Sequence, residues 1–342
     1  MSTTFVYVGN AKSNDIYILE LAQQTGELTL VDTVAVRGVT SSGGSIPLAV
    51  SPDKRFLYAA IRGEPLVAAG FAIDPACGKL EHVANGALAD SMAYIVTDRS
   101  GRFLLGASYS GHKITVNPIP MPGVVQAAQQ VVATGPNAHC IVPDPANRYV
   151  LSTSLGADLV HQWRFDPRTG KLSPNAPASV RVKDKAGPRH LVFHPNGTFV
   201  YLLDELDASI YVFGYDGASG QLSELQTASA WPPGYDGKPW AADIHVTPDG
   251  RFLYASERRS STLSAFRIDA GSGMLSPLER VPTEEQPRSF AIDPAGQYLV
   301  VAGEASNRMT SYAIDAATGK LTRLKEYPMG RKPNWVEIVA LP

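Results

Sequence analysis

Apolar residues along this chain come in short alternating runs such as Phe5-Val-Tyr-Val8 and Ser209-Ile-Tyr-Val-Phe213, each stopped by a turn rich in glycine or proline. Alternation with a period of two is what a strand with one buried face requires, because successive side chains point to opposite faces. No helical period of 3.6 is sustained anywhere. The pattern predicts an all-β protein.

One signature recurs six times: Ser51-Pro-Asp-Lys-Arg-Phe-Leu-Tyr58, Asp98-Arg-Ser-Gly-Arg-Phe-Leu-Leu105, Asp144-Pro-Ala-Asn-Arg-Tyr-Val-Leu151, His194-Pro-Asn-Gly-Thr-Phe-Val-Tyr201, Thr247-Pro-Asp-Gly-Arg-Phe-Leu-Tyr254 and Asp293-Pro-Ala-Gly-Gln-Tyr-Leu-Val300. Successive copies are 47, 46, 50, 53 and 46 residues apart. A second turn follows in most units, as in Asp166-Pro-Arg-Thr-Gly170-Lys-Leu172, Asp269-Ala-Gly-Ser-Gly273-Met-Leu275 and Asp315-Ala-Ala-Thr-Gly319-Lys-Leu321. Four short strands per unit of this length is the signature of a β-propeller blade. A two-sheet sandwich does not explain so regular a period.

Six units are complete. Residues 5–36 supply only the later strands of another, and Pro333-Asn-Trp-Val-Glu-Ile-Val339 matches the missing first strand. The reading is a seven-bladed β-propeller, one domain over residues 1–342, closed by N- and C-terminal strands sharing a blade. Pro118-Ile-Pro-Met-Pro122 replaces one acidic turn, and Gly234-Tyr-Asp-Gly237 lengthens one connection between blades.

Composition narrows the partners. The net charge of -2, without a Lys/Arg run, gives no support for nucleic-acid binding, and no apolar run is long enough for a membrane span. Cys77 and Cys140 cannot build a disulfide framework or a structural zinc site. Nothing before Phe5 reads as a signal peptide, so a reduced, cytoplasmic protein without cofactor or metal is expected.

The repeat also locates a candidate site. With the Pro-Asp-Gly turns in register, the start of the first strand and the end of the second lie at one mouth of the central channel. At the first-strand start one position holds Ile46, Ala93, His139, Arg189, Ala242, Arg288 and Asn334, and the next holds Pro47, Tyr94, Cys140, His190, Asp243, Ser289 and Trp335. At the second-strand end stand Arg62, Tyr109, Leu155, Glu205, Arg258 and Glu304. Any one of these could simply satisfy neighbouring backbone. Together, arginines, carboxylates and a histidine on one rim point to a polar ligand, since buried charge is costly without a partner. Strict alternation turns His190 away from Arg189, leaving it a bracing role. His194, His161, His82 and His112 fall at far turns or outer strands and read as structural or solvated.

Arginine forks suit an anion or a developing oxyanion, and a nearby carboxylate and histidine can exchange protons near neutrality. With no Gly-x-Ser-x-Gly elbow or His-Glu-x-x-His, direct attack on a carbonyl is the chemistry these residues fit; they also fit an anion-binding module. A metal held by Glu205, Asp243 and Glu304 is the minor reading, because arginines adjoin them.

The segments "AGPRHLVFHPN", "WAADIHVTPDGRFLYASER", "QPRSFAIDPAGQYLVVAGE" and "KPNWVEIV" resemble the bacterial propeller-type 6-phosphogluconolactonase family, in blade order from Phe5 to Val339. The resemblance implies a seven-bladed propeller acting on a small-molecule sugar lactone. It extends to fungal carboxy-muconate cycloisomerases and, motif by motif, implies His139, Arg189, Glu205 and Arg258 as catalytic. Arg62, Tyr109, His190, Trp240, Asp243, Arg288 and Glu304 are then expected to bind substrate. The first half departs from the family: Ala93-Tyr94 stands where a histidine is usual, and Val39 to Ser45 adds rim loop. An unphosphorylated aldonolactone is therefore an alternative to 6-phosphogluconolactone. Attack by a substrate hydroxyl instead of water would make the protein a 1,5/1,4-lactone isomerase. A non-catalytic interaction platform is the third reading. The base could be His139, Glu205 or Glu304.

Overall fold

The computed structural model describes residues 2–41 and 44–342. Seven four-stranded antiparallel sheets follow one another along the chain. In chain order, blades 1 to 6 span Leu48–Ala87, Tyr94–Ala133, Ala138–Arg181, Pro188–Ser229, Ala241–Pro282 and Pro287–Pro328. Blade 7 takes its first strand from Pro333–Leu341 and the rest from Thr3–Ala35. The described residues contain a single turn of 3-10 helix, Leu155–Ala157.

Ring closure is the pairing expected from the sequence. Strand Thr3–Asn10 runs antiparallel to Pro333–Leu341, with Phe5 opposite Val339 and Tyr7 opposite Glu337. First strands of neighbouring blades touch all the way round and enclose the central channel.

The two repeated turns meet between blades, which explains why both recur. Gly319 of blade 6 adopts φ of 74°, and a Cβ there would lie 2.3 Å from the Phe252 ring of blade 5. Gly273 is set in the same way against Phe199 of blade 4. Only glycine accepts both the left-handed backbone and the ring. The tyrosine two residues past that phenylalanine completes the lock: Tyr254 Oη donates to the Gly319 carbonyl at 2.7 Å, and Tyr201 Oη to that of Gly273 at 2.9 Å. Blade 2 lacks the acidic turn, as Pro118 to Pro122 implied. There Gly123 N donates to Tyr58 Oη at 3.2 Å instead, and the outer strand shortens to Gln130–Ala133.

The rim loop expected at Val39 to Ser45 falls partly on residues 42 and 43, which lie outside the described residues. Beside it, Thr40–Ser41 pairs with Gly63–Glu64 as a small extra ribbon.

At the channel mouth the first strands are not regular. Register shifts occur between Ala138 and Ile141, Pro188 and His190, Ala241 and Ile244, and Pro287 and Ser289. Such irregularities re-aim side chains by breaking the period-two alternation. They fall on the four blades that carry His139, Arg189, Ala242 with Asp243, and Arg288.

Candidate active site at the channel mouth

Arg189 opens the first strand of blade 4 and is only 2% exposed. Its Nε donates to Glu205 Oε2 at 2.9 Å, and its Nη1 donates to the Ala242 carbonyl of blade 5. Arg258 reaches the same carboxylate oxygen from blade 5, Nη2 to Oε2 at 3.0 Å. It also donates to the carbonyls of Trp240 at 3.1 Å and Ala241 at 3.0 Å, with its guanidinium 3.9 Å from the centre of the Trp240 ring. Burial pushes the Glu205 carboxyl up, but Arg258, Arg189 and Arg288 outweigh it and hold Glu205 below the ordinary carboxylate range. An anion so stabilised is a weak proton acceptor and a firm brace for two guanidinium groups.

Backbone bonds fix these second-strand ends. Glu205 N donates to Gly187 O at 2.7 Å, Arg258 N to Trp240 O at 3.1 Å, and Glu304 N to Gln286 O at 2.9 Å. Arg288 and Lys332 both face Glu304, at 3.5 and 3.3 Å. Arg62 donates from Nε to Ser91 Oγ at 2.6 Å, and the charge of Arg288 acts on it across the mouth. Asn334, the blade 7 member of the arginine column, receives Ile46 N at 3.3 Å and is structural.

His139 is 4% exposed, edge-on to Tyr109 and His190 at ring distances of 5.8 and 5.1 Å. Burial, and then Arg189, push its pKa well below the ordinary histidine value, so the ring is neutral. His190 lies beneath it. The register shift at Pro188/His190 corrects the expectation that His190 turns away to brace the rim: it packs against His139, Tyr94 and Trp335. Its Nδ1 is 2.8 Å from Asp243 Oδ1, and a carboxylate can only accept there, so Nδ1 carries the proton. Burial and Arg189 press the His190 pKa to about 4 against the pull of Asp243, so Nε2 is a bare lone pair. Among the described residues, neither His190 Nε2 nor His139 Nδ1, both buried, has a hydrogen-bond partner.

His139, Arg189, Glu205, Arg258, Tyr109, Trp240, His190 and Asp243 thus gather at one mouth, with Arg288, Glu304 and Arg62 on its far side. His194 Nε2 donates to Gly250 O at 2.9 Å, and His161 Nε2 lies 3.1 Å from Ser154 Oγ, both structural contacts. Among the described residues no group of three or more His, Cys, Asp or Glu side chains is placed to hold a metal ion.

The family of lactonases with a seven-bladed β-propeller is matched over residues 3–338. The chain belongs to that family. A 6-phosphogluconolactonase of Pectobacterium carotovorum is 40% identical over 336 residues, 98% of each chain. A second, from Pectobacterium atrosepticum, is 39% identical over 84% of each. Among solved structures, the periplasmic gluconolactonase of Pseudomonas aeruginosa superposes with a TM-score of 0.91 at 28% identity, covering 99% of this chain and 100% of that one. Lactonases are carboxylic-ester hydrolases, and this propeller is one of them. No helix among the described residues is long and apolar enough to cross a membrane.

Two lactonase residues beneath the mouth escaped the sequence reading. His245 Nε2 lies 3.3 Å from Asp243 Oδ2, and Glu337 Oε1 receives Trp335 Nε1–H at 2.9 Å. Both stand two places past the Asp243 column, where other blades carry Ala49, Val96, Val142, Val192 and Ala291. The same column comparison, carried two residues further, would have exposed them.

Next to Glu205, Asp204 is fully buried and neither carboxyl oxygen has a hydrogen-bond partner among the described residues. Burial, with Asp207 and Asp158 adding to it, pushes its pKa up to about 9. Between that value and the ordinary carboxylate range the folded protein holds a proton that the unfolded chain has released. Stability therefore falls as pH rises across that interval, by at most ~1.4 kcal/mol per pH unit. Asp204→Asn is expected to raise the melting temperature most above pH 8, with the gain fading toward pH 4. Thermal unfolding of both proteins across this range checks it; a gain independent of pH would mean that Asp204 is ionised.

Proposed function

We propose that the channel mouth opens the ester ring of a phosphorylated sugar lactone of the 6-phosphogluconolactone kind. One observation carries this reading: Arg189 and Arg258 converge from two blades on the single carboxylate Glu205, with Arg288 paired to Glu304 on the far side of the same mouth. Lys332 adds a further positive charge beside Glu304. Mutual repulsion of these cations is relieved by an anionic substrate, and guanidinium forks suit both phosphate and oxyanion oxygens. The names of the Pectobacterium relatives support the same substrate class.

Among the described residues Arg189 Nη2 and Arg258 Nη1 have no hydrogen-bond partner, and we assign these nitrogens to the carbonyl oxygen of the lactone. As water adds to the carbonyl carbon, its proton passes to the neutral imidazole pair, with His190 Nε2 the acceptor. Charge collects on the carbonyl oxygen between the two arginines. Collapse of the tetrahedral intermediate breaks the bond to the ring oxygen, which takes the proton back from His190. The products are the open hydroxy acid and the regenerated site. Glu205 holds the arginines in place and transfers no proton.

Proton NMR of freshly prepared 6-phosphogluconolactone and glucono-1,5-lactone, with and without protein, tests the reading. Faster acid formation from the phosphorylated lactone is the expected result. Preference for the unphosphorylated lactone would move the substrate to the gluconolactone class. A new 1,4-lactone in place of acid would assign the isomerase reaction, and no change with either would remove the enzyme reading.

A further inference from the structure

Behind the mouth, on the far side of the Tyr94, His190 and Trp335 rings, the channel holds a cavity of about 320 Å³. His190, Asp243, His245, Trp335 and Glu337 line it, together with Arg99 from a hairpin turn joining first and second strands. None of Arg189, Glu205 and Arg258 does. The hairpin turns lie at the opposite ends of the first strands from the arginine rim. His245 therefore looks into a compartment distinct from the one proposed to bind substrate, and among the described residues it reaches the machinery of the mouth through Asp243.

The two carboxylate oxygens of Asp243 are divided between two imidazoles. Oδ1 lies 2.8 Å from His190 Nδ1, and Oδ2 lies 3.3 Å from His245 Nε2. Backbone donors fix the carboxylate from both sides: Ile244 N reaches Oδ1 at 3.0 Å and Phe290 N reaches Oδ2 at 3.3 Å. Asp243 N is held in turn by Ser256 Oγ at 3.0 Å. A carboxylate pinned in this way cannot turn to serve one histidine at the expense of the other. Its single negative charge is shared, and what His245 takes His190 loses.

We propose that His245 is a positioning residue for the lactone-opening reaction, acting through the shared carboxylate of Asp243 to set the basicity of His190 and so the acid limit of turnover. This rests on His190 being the proton acceptor, as argued above.

The surroundings of both rings agree. His190 faces His139, Tyr94, Trp335, Arg189, Asp243 and His245. Of these only Asp243 favours the imidazolium, while the charges of Arg189 and His245 oppose it. His245 faces Asp243, the Phe290 ring at 4.8 Å, and Glu337. Burial lowers the His245 pKa, but Asp243 and then Glu337 more than restore it, so this ring carries its proton at higher pH than an ordinary histidine. With His245 charged, part of the Asp243 field is neutralised and His190 stays an unprotonated base into the acid range. When His245 loses its proton, or is replaced by a neutral group, His190 feels the whole of Asp243 and protonates more easily.

His245→Gln keeps an amide donor for Asp243 and removes the charge. Its kcat/KM profile is expected to have an acid limb about one pH unit higher than that of the natural protein, the deficit shrinking as pH rises. Asp243→Asn, which withdraws the orienting carboxylate, is expected to lose at least 100-fold at every pH. An independent readout is the His190 Cε1–H resonance in the histidine-labelled protein, whose titration midpoint should move up by a similar amount in His245→Gln. A limb and a midpoint that both coincide with the natural protein's would overturn the proposal. So would an equal loss at all pH values, which is the mark of damaged packing. If the natural protein shows no lactone turnover while the resonance still moves, the coupling stands and the functional reading above fails instead.

Discussion

Arg189→Ala is expected to lower kcat/KM for the lactone on the order of 10³-fold, about 4 kcal/mol of transition-state stabilisation. The size follows from where this guanidinium sits. It is 2% exposed, so its charge acts through protein and not through water. Two of its nitrogens are spent on Glu205 and on the Ala242 carbonyl, which leaves the third in one orientation. Alanine removes the donor and also leaves the Ala242 carbonyl without its bond. Some loss of melting temperature should accompany the loss of rate. Steady-state kinetics with thermal unfolding of the same preparation separates the two. A folded variant with the natural rate would place the reaction elsewhere on the propeller.

Glu205→Gln should fall nearly as far, for a different reason. On the proposed mechanism no proton acceptor is removed, because Arg258, Arg189 and Arg288 hold the Glu205 pKa below the ordinary carboxylate range and make it a weak base. What disappears is the one negative charge between two buried guanidinium groups, each of them about 3 Å from Oε2. They then repel one another in a poorly screened site and leave the geometry needed at the carbonyl oxygen. The expected result is a loss of 10²-fold or more in kcat whose pH profile keeps its shape. A general base at Glu205 would instead abolish the acid limb altogether. Measuring kcat of the variant across pH tells the two apart, and a vanished limb would return the role of base to Glu205.

The propeller was legible because its physics is local and repeated. Each blade must turn twice, must bury alternate residues and must lock onto its neighbour, so the same proline, glycine, aromatic and tyrosine positions recur about every 46 to 53 residues. Pairing of Phe5 with Val339 could be read from a first strand missing at one end and found at the other. Much of the mouth was legible by the same means. A ring of equivalent positions ought to be uniform, and Arg62, His139, Arg189, Glu205, Arg258, Arg288 and Glu304 break that uniformity.

Three features could not be reached that way. The turn of His190 toward His139 depends on a register shift that no residue type announces. The partition of Asp243 between His190 and His245 depends on backbone donors from two blades. The charge states within the mouth depend on which charges lie within about 3 Å of which, and this sets Glu205 between Arg189 and Arg258 and leaves His190 neutral. Strand, turn and blade number follow from contacts between near neighbours along the chain, and these leave a period. Protonation and orientation at the mouth follow from fields of residues on several blades, many of them fifty or more positions apart, and they exist only once the ring has closed.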